Sequence, residues 1–125
     1  MLNLDTHVFV HALAGELTRP EEAILRDDAW SISAIVLWEI GKSAELGRIE
    51  VDLDDAELGR TLARIHIWPL TLDVCRAIRR LDVRSDPADE IIAATSLVHQ
   101  VPLVTRDARL RRSRLVPLAT PRRLP

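Results

Sequence analysis

Residues 86–107 read DPADEIIAATSLVHQVPLVTRD, and this stretch indicates the fold class. Its first part predicts a helix, because Asp86 can serve as the N-terminal cap and Pro87 occupies the first helical position. The short apolar run PLVT then predicts a strand, which Asp107 follows closely. A helix followed by a short, mostly apolar strand is typical of a parallel sheet with helices on both faces.

The same alternation of strands and helices extends over the whole chain. Strand candidates are MLNL (1–4), WSIS (30–33), IWPL (67–70), PLVT (102–105) and RLVPL (114–118). Helices are predicted at about 6–15, 18–28, 33–47, 54–65, 71–81 and 86–100, with a short one after Asp107. Asp54 is the predicted cap of the fourth helix. We therefore predict a single α/β domain over residues 1–125, in which residues 119–125 form a loosely ordered tail.

Length and composition limit the class of protein. A chain of 125 residues is one ordinary domain, and 47% apolar with 29% charged residues is typical of a soluble globular protein. No apolar stretch approaches the ~20 residues of a transmembrane helix, and MLNLD does not resemble a secretory signal. We therefore expect no membrane association and a cytoplasmic location. The single cysteine, Cys75, excludes an internal disulfide and is interpreted as a small core residue.

The net charge of −2 conceals an uneven distribution of charge along the chain. Residues 1–57 carry 13 acidic and 4 basic side chains, whereas residues 58–125 carry 6 acidic and 13 basic ones. Arginines beside an acidic pocket would suit a phosphodiester substrate, because arginine binds phosphate. Arg106 and Arg109 are the candidates for nucleic-acid binding. An ordinary solvated helix surface explains the same pattern equally well.

Four acidic residues lie at or near the points where strands are followed by helices. They are Asp5, Glu39, Asp89 and Asp107. Because parallel α/β sheets bind ligands at the carboxyl ends of their strands, we expect these side chains to share one pocket. Carboxylates that share a pocket repel one another, so the pocket must take up protons or bind a cation. This chemistry indicates a magnesium-dependent nuclease.

Each of these acids also has a purely structural explanation. Asp5 and Asp107 can cap the helices that follow them. Glu39 lies within the apolar helix AIVLWEIGKSAEL, where an unpaired buried charge is costly. Lys42, three residues further on, could pair with it. For Glu39 we favour a functional role.

The start of the helix at residue 86 carries more acids than a cap requires. Asp86 and Asp89 resemble a capping arrangement, and Glu90 adds a third acid to the same turn. We therefore expect at least one of the three to be a metal ligand. His7 and His11 have a spacing that could bind a metal, but without a further soft ligand nearby we interpret them as one face of an amphipathic helix.

Three segments carry a family resemblance: LDTHVFVHAL, SAIVLWEIGKSAELGRI and DPADEIIAATSLVHQVPLVTRD. In this order and spacing they resemble the PIN domain, and most closely the VapC-type toxins of bacterial type II toxin–antitoxin pairs. The resemblance covers residues 1–118 and implies a three-layer α/β/α sandwich with a five-stranded parallel sheet. It also implies an endoribonuclease that depends on Mg²⁺ or Mn²⁺, commonly forms a homodimer, and is silenced by a cognate antitoxin protein.

The resemblance also implies roles for individual residues. By motif match, the four acidic positions of this family fall on Asp5, Glu39, Asp89 and Asp107. Asp5 and Asp89 would be the principal metal ligands, and the other two acids would complete the shell. The supporting polar positions fall on Thr6, Asp86 and Thr105. Glu90 departs from the family pattern, which usually has a basic residue at this position.

Three other functions compete with this one. A non-catalytic PIN-fold protein that binds RNA or regulates a partner would not need all four acids. A phosphatase that uses Asp5 as its nucleophile would need a second aspartate where this chain has His7. Cleavage of DNA instead of RNA stays open at this point.

Overall fold

Four parallel strands form the centre of the molecule in the computed structural model, which describes residues 1–120. The strands are β1 (Leu2–Leu4), β2 (Trp30–Ser33), β3 (His66–Trp68) and β4 (Leu103–Val104). Their order in the sheet is β3-β2-β1-β4, and each neighbouring pair is parallel. The predicted parallel α/β sheet is thus confirmed. Most of the predicted tail, residues 121–125, lies outside the described residues.

Six α-helices connect and flank the strands. They are α1 (Thr6–Ala14), α2 (Arg19–Leu25), α3 (Ala34–Glu45), α4 (Ala56–Arg64), α5 (Leu72–Ala77) and α6 (Pro87–His99). At α2, Thr18 and Glu21 form a reciprocal pair of capping hydrogen bonds. The cap of α4 is Asp55, so the prediction of Asp54 is wrong by one residue. Asp54 instead donates its N–H to Asp52 in the preceding turn, at 2.9 Å. Within residues 1–120, no helix is long and apolar enough to cross a bilayer.

Both faces of the sheet are covered, as the three-layer α/β/α sandwich requires. Successive residues of a strand point to opposite faces, yet Leu2, Asn3 and Leu4 of β1 are all buried. Asn3 faces α6, where its side-chain amide donates to the Ser96 hydroxyl at 2.9 Å. The largest buried core side chains include Phe9, Leu25, Ile32, Ile40, Ile92 and Leu110.

The predicted fifth strand, RLVPL at 114–118, is reduced to a single bridge, so the sheet has four strands where five were expected. Leu118 alone pairs with Leu103, in parallel. Pro117 has no N–H to donate, and the N–H of Val116 already donates to a serine hydroxyl at 3.0 Å. The ladder therefore cannot extend from Leu118 back through Pro117 into the rest of the predicted strand.

Two helical side chains are conspicuous on the surface. Cys75 on α5 is exposed, and its predicted core position is wrong, because Val74 and Ala77 occupy the buried side of the helix. On α3, Trp38 is 61% exposed. A tryptophan that loses so little water on folding adds little to the core of a monomer and is available for contact with a partner.

Candidate functional site

An open pocket of about 310 Å³ lies at the carboxyl end of the sheet. Its lining residues are Asp5, His7, His11, Asp86, Asp89, Arg106 and Asp107. The fold brings these residues together because β1 ends at Asp5, the neighbouring β4 ends just before Thr105, and α6 begins on the same side. Three of the four predicted acids therefore line one pocket, which we call the acidic pocket.

Asp5 is the most buried of the acids, with only 4% of its surface exposed. One carboxylate oxygen accepts the Val8 N–H at 2.9 Å, so Asp5 caps α1. The other accepts the hydroxyl of Thr105. Burial raises the pKa of Asp5, while these two hydrogen bonds lower it and repulsion by Asp89 raises it further. The capping role and a place in the pocket coexist in one side chain.

Glu39 does not line the acidic pocket, but it interacts electrostatically with two acids that do. It is half-buried on α3 and accepts the hydroxyl of Thr6. The alternative pairing with Lys42 is not observed, because the Lys42 Nζ lies 3.6 Å from a carboxylate oxygen of Glu45 instead. Burial raises the pKa of Glu39, and the negative charges of Asp89 and Asp5 add to the rise.

The three acids at the start of α6 have separate roles. Ser85 satisfies two of them, because its hydroxyl donates to Asp89 at 3.0 Å and its N–H donates to Glu90 at 3.2 Å. Asp86 occupies the cap position, but its side chain makes no capping hydrogen bond and lines the pocket instead. Burial raises the pKa of Asp89, and repulsion by Asp107 and Asp86 contributes to the rise.

Asp107 acts as a local cap and also lines the pocket. Its carboxylate accepts the N–H groups of Arg109 and Leu110 at 2.8 and 3.1 Å. Its own N–H donates to the Thr105 hydroxyl at 3.0 Å. Thr105 therefore connects Asp5 and Asp107 through a single oxygen, in keeping with the supporting position predicted for it.

Arg106 and Arg109 differ in their relation to the pocket. Arg109 is exposed and does not line it. Arg106 does line it, and its guanidinium binds Glu21 through Nε and Nη2, both at 2.6 Å. This ion pair is the main reason that the pKa of Glu21 falls to about 2. No sequence signal pointed to Glu21, because it lies 85 residues from Arg106 and its capping role at α2 already accounts for it locally.

His7, which was interpreted as part of an amphipathic helix face, also lines the acidic pocket. It is exposed and opposes the rise in pKa that burial causes at Asp5, Glu39 and Asp89. Its spacing from His11 was the available signal. His11 lies deeper on α1, with its Nδ1 3.4 Å from a carboxylate oxygen of Glu16.

The donor chemistry of this region fits a hard divalent cation. Carboxylate oxygens are the ligands that Mg²⁺ prefers, and Asp5, Glu39 and Asp89 are each destabilised in their charged form by burial and by another acid. In the present side-chain positions, no three acidic, histidine or cysteine groups among residues 1–120 are close enough to enclose an ion. Binding an ion would therefore require the carboxylates to turn toward it.

Comparison with known proteins extends these observations. The family model described as PIN domain matches residues 3–114. Among solved structures, a toxin–antitoxin complex from Klebsiella pneumoniae is similar, with a TM-score of 0.71 and 18% identity over 99% of this chain and 100% of that chain. VapBC2 from Rickettsia felis bound to a promoter DNA fragment is similar with a TM-score of 0.70 and 19% identity, over 94% of this chain and 97% of that chain. FitAcB from Neisseria gonorrhoeae has a TM-score of 0.66 and 23% identity, over 97% of this chain and 98% of that chain. No curated protein sequence matches the chain.

Proposed function

The chain belongs to the PIN-domain family, and from this premise we propose that it is a Mg²⁺-dependent endoribonuclease and the toxin of a toxin–antitoxin pair. One observation carries the catalytic part of the proposal: all four predicted acids are linked electrostatically through Asp89. Its charge acts on Asp5 and Glu39, and it in turn feels the charge of Asp107. Burial and neighbouring acids raise the pKa of Asp5, Glu39 and Asp89, and a divalent cation would stabilise such a site.

In this mechanism, Asp5 and Asp89 would hold the metal, and Glu39 and Asp107 would complete its shell directly or through water. Bound Mg²⁺ or Mn²⁺ would supply Lewis-acid chemistry that activates a water and offsets charge on the leaving oxygen. The chain's own hydroxyl groups orient the acids. Thr105 holds Asp5, Thr6 holds Glu39 and Ser85 holds Asp89, so a hydroxyl fixes one oxygen of each carboxylate. In Asp5 the Val8 N–H holds the other oxygen.

RNA is the proposed substrate, and arginines near the pocket are its proposed contacts. Arg106 lies on the pocket wall, and Arg109, three residues further along the chain, is exposed. Contacts to phosphate position RNA without reading its sequence, and single strands and loops are the RNA elements whose bases proteins can reach. We place the site of action in the cytoplasm, where such RNA is found.

The test is cleavage of total RNA by purified, antitoxin-free protein, with and without Mg²⁺. Asp5→Asn and Asp89→Asn should abolish metal-dependent cleavage while the proteins stay folded. Asp73→Asn is the matched control, since Asp73 is exposed on α5 and pairs only loosely with Arg76, at 3.6 Å. Undiminished cleavage by either folded pocket variant would refute the assignment. Wild-type protein that binds RNA but neither cleaves it nor binds Mg²⁺ would favour the non-catalytic alternative.

An antitoxin is the proposed protein partner, and a second surface supports it. A groove of about 550 Å³ lies between α1, residues 49–52 and α4. Its lining residues are apolar Val10, Leu13, Ala14, Ile49, Val51 and Leu58, acidic Glu16, Glu50, Asp52, Asp55 and Glu57, and His11. This lining favours an apolar peptide with basic flanks. His11 also lines the acidic pocket, so such a peptide could extend a basic side chain toward the acids.

The antitoxin part of the proposal has its own test. The operon's antitoxin should copurify with wild-type protein and be lost from a Glu50→Lys, Glu57→Lys variant, because the added charges repel basic flanks. Retention of the antitoxin by that variant would exclude the groove as its binding site.

A homodimer is proposed from the apolar side chains left on the surface. Trp38 on α3 and Leu72 at the start of α5 are 61% and 63% exposed. Burying a tryptophan contributes more to an interface than most side chains do. Light scattering should therefore give a dimer for wild-type protein and a monomer for Trp38→Ser. A monomeric wild-type protein would contradict this part of the proposal.

A further inference from the structure

We propose that Glu21 is a positioning residue of the acidic pocket: its hold on Arg106 keeps that guanidinium from bridging to the pocket acids and so leaves them free for a divalent cation. The inference rests on the proposed function, because it assumes that the pocket binds a metal. It assigns a role to a residue on α2 that lies outside the pocket lining.

The contact between Glu21 and Arg106 is well defined. Nε of Arg106 donates to one carboxylate oxygen and Nη2 to the other, both at 2.6 Å. The Thr18 N–H donates to the same carboxylate at 2.9 Å, and Glu21 is only 8% exposed. Because the Thr18 N–H and near-complete burial fix the carboxylate, it can in turn fix the guanidinium edge that it binds.

The position of Arg106 makes this restraint necessary. Arg106 follows Thr105 and precedes Asp107, and it lines the acidic pocket together with Asp5 and Asp89. A flexible arginine beside several carboxylates would form charge-assisted hydrogen bonds with them, since such pairs are among the strongest in proteins. A guanidinium bound in that way would occupy the oxygens that a cation needs.

Glu21 binds the guanidinium of Arg106 in a groove that is separate from the acidic pocket. Both residues line a separate groove of about 450 Å³, which also contains Thr18 and Arg111. With Nε and Nη2 engaged there, Nη1 has no hydrogen-bond partner within residues 1–120. Arg106 thus stays at the border between groove and pocket, with donors left for an RNA phosphate and without closing the pocket.

Calorimetric titration of the RNA-free protein with Mg²⁺ alone tests this inference. Glu21→Gln removes the charge but keeps the shape and the oxygen that caps α2. Its Mg²⁺ affinity should fall about tenfold or more, because the released guanidinium competes for the acids. Adding Arg106→Gln to Glu21→Gln should restore the affinity, since no competitor then remains. Glu22→Gln, the same change on the adjacent and exposed residue of α2, is the matched control.

The possible outcomes are distinct. An unchanged or stronger Mg²⁺ affinity of Glu21→Gln would overturn the inference, and so would a loss that the added Arg106→Gln does not restore, since it would reflect a damaged fold. If Glu21→Gln does not fold, Arg106→Lys takes its place in the experiment. Lysine keeps the positive charge but loses the two-point contact with Glu21, so the Mg²⁺ affinity of this variant should also fall. An unchanged affinity would overturn the inference. Wild-type protein that binds no Mg²⁺ would instead refute the proposed function.

Discussion

Replacement of Thr105 by valine should destabilise the metal-free protein, and more so as the pH rises. The hydroxyl of Thr105 donates to Asp5, which is only 4% exposed, and accepts the Asp107 N–H at 3.0 Å. Valine keeps the shape and removes both contacts. Because only 4% of Asp5 is exposed, water can replace the donor only poorly, and we expect a loss of about 2 kcal/mol, within the range for hydrogen bonds to charged groups.

The pH dependence follows from the pKa of Asp5. Burial raises this pKa and the Thr105 hydroxyl lowers it, so the substitution should raise it further. A carboxyl group with a raised pKa in the folded state destabilises the fold once the pH is high enough to ionise it. The cost of Thr105→Val should therefore be larger at pH 8 than at an acidic pH at which Asp5 is protonated, because protonation relieves the lost donor.

Urea unfolding in the presence of EDTA measures this effect. With a denaturant slope of about 2 kcal/mol per molar, the midpoint should fall by about 1 M at pH 8. Thr6→Val is the matched comparison, because the Glu39 that it leaves is only half-buried and water can replace the lost bond. An equal loss at both pH values, or an equal loss for Thr6→Val, would refute the reasoning.

Two further predictions concern charge and stability. Asp89→Asn should raise the melting temperature of the metal-free protein at pH 8, because burial raises the pKa of Asp89 and makes its charged form unfavourable. In calorimetry, Mg²⁺ should stabilise wild-type protein but not this variant. A metal-free variant that is less stable than wild type would contradict the prediction. For Glu21, whose pKa is lowered from 4.5 to about 2 chiefly by Arg106, the stabilisation is present above pH 4.5 and is lost as the pH falls toward 2. The free energy of unfolding, measured as a function of pH, should be lower for Glu21→Gln than for wild type by on the order of 1–2 kcal/mol near pH 6. This figure allows for solvent screening at the partly exposed Arg106. Near pH 2 the two proteins should be almost equally stable, and a difference that stays constant with pH would contradict the prediction.

The helices and their order could be predicted because their signals are local. Caps such as Ser33 and Thr71 stand directly before the apolar runs that they begin, and their side chains accept N–H groups of the first turn. The prediction of a full fifth strand was wrong for a reason that is also local. The apolar composition of RLVPL indicates a strand, but hydrogen-bond donors decide a ladder, and Pro117 lacks one.

The site was only partly predictable because its contacts span long distances in sequence. The positions of the four acids could be proposed, since strand ends in a parallel sheet meet at one edge. The hydroxyl partners could be named from the resemblance, but their pairing could not: Thr105 lies 100 residues from Asp5. Glu21 was missed altogether, because a glutamate in a capping box needs no further explanation.

The pairing of β1 with β4 has a consequence for the time at which activity can begin. The ribosome makes Thr105 100 residues after Asp5, and domains fold as their chain emerges. Until β4 has left the exit tunnel, Asp5 has neither its neighbouring strand nor the hydroxyl of Thr105. A nascent chain, or one terminated before β4, would therefore lack the complete acidic pocket, and the proposed nuclease activity could begin only after β4 has emerged.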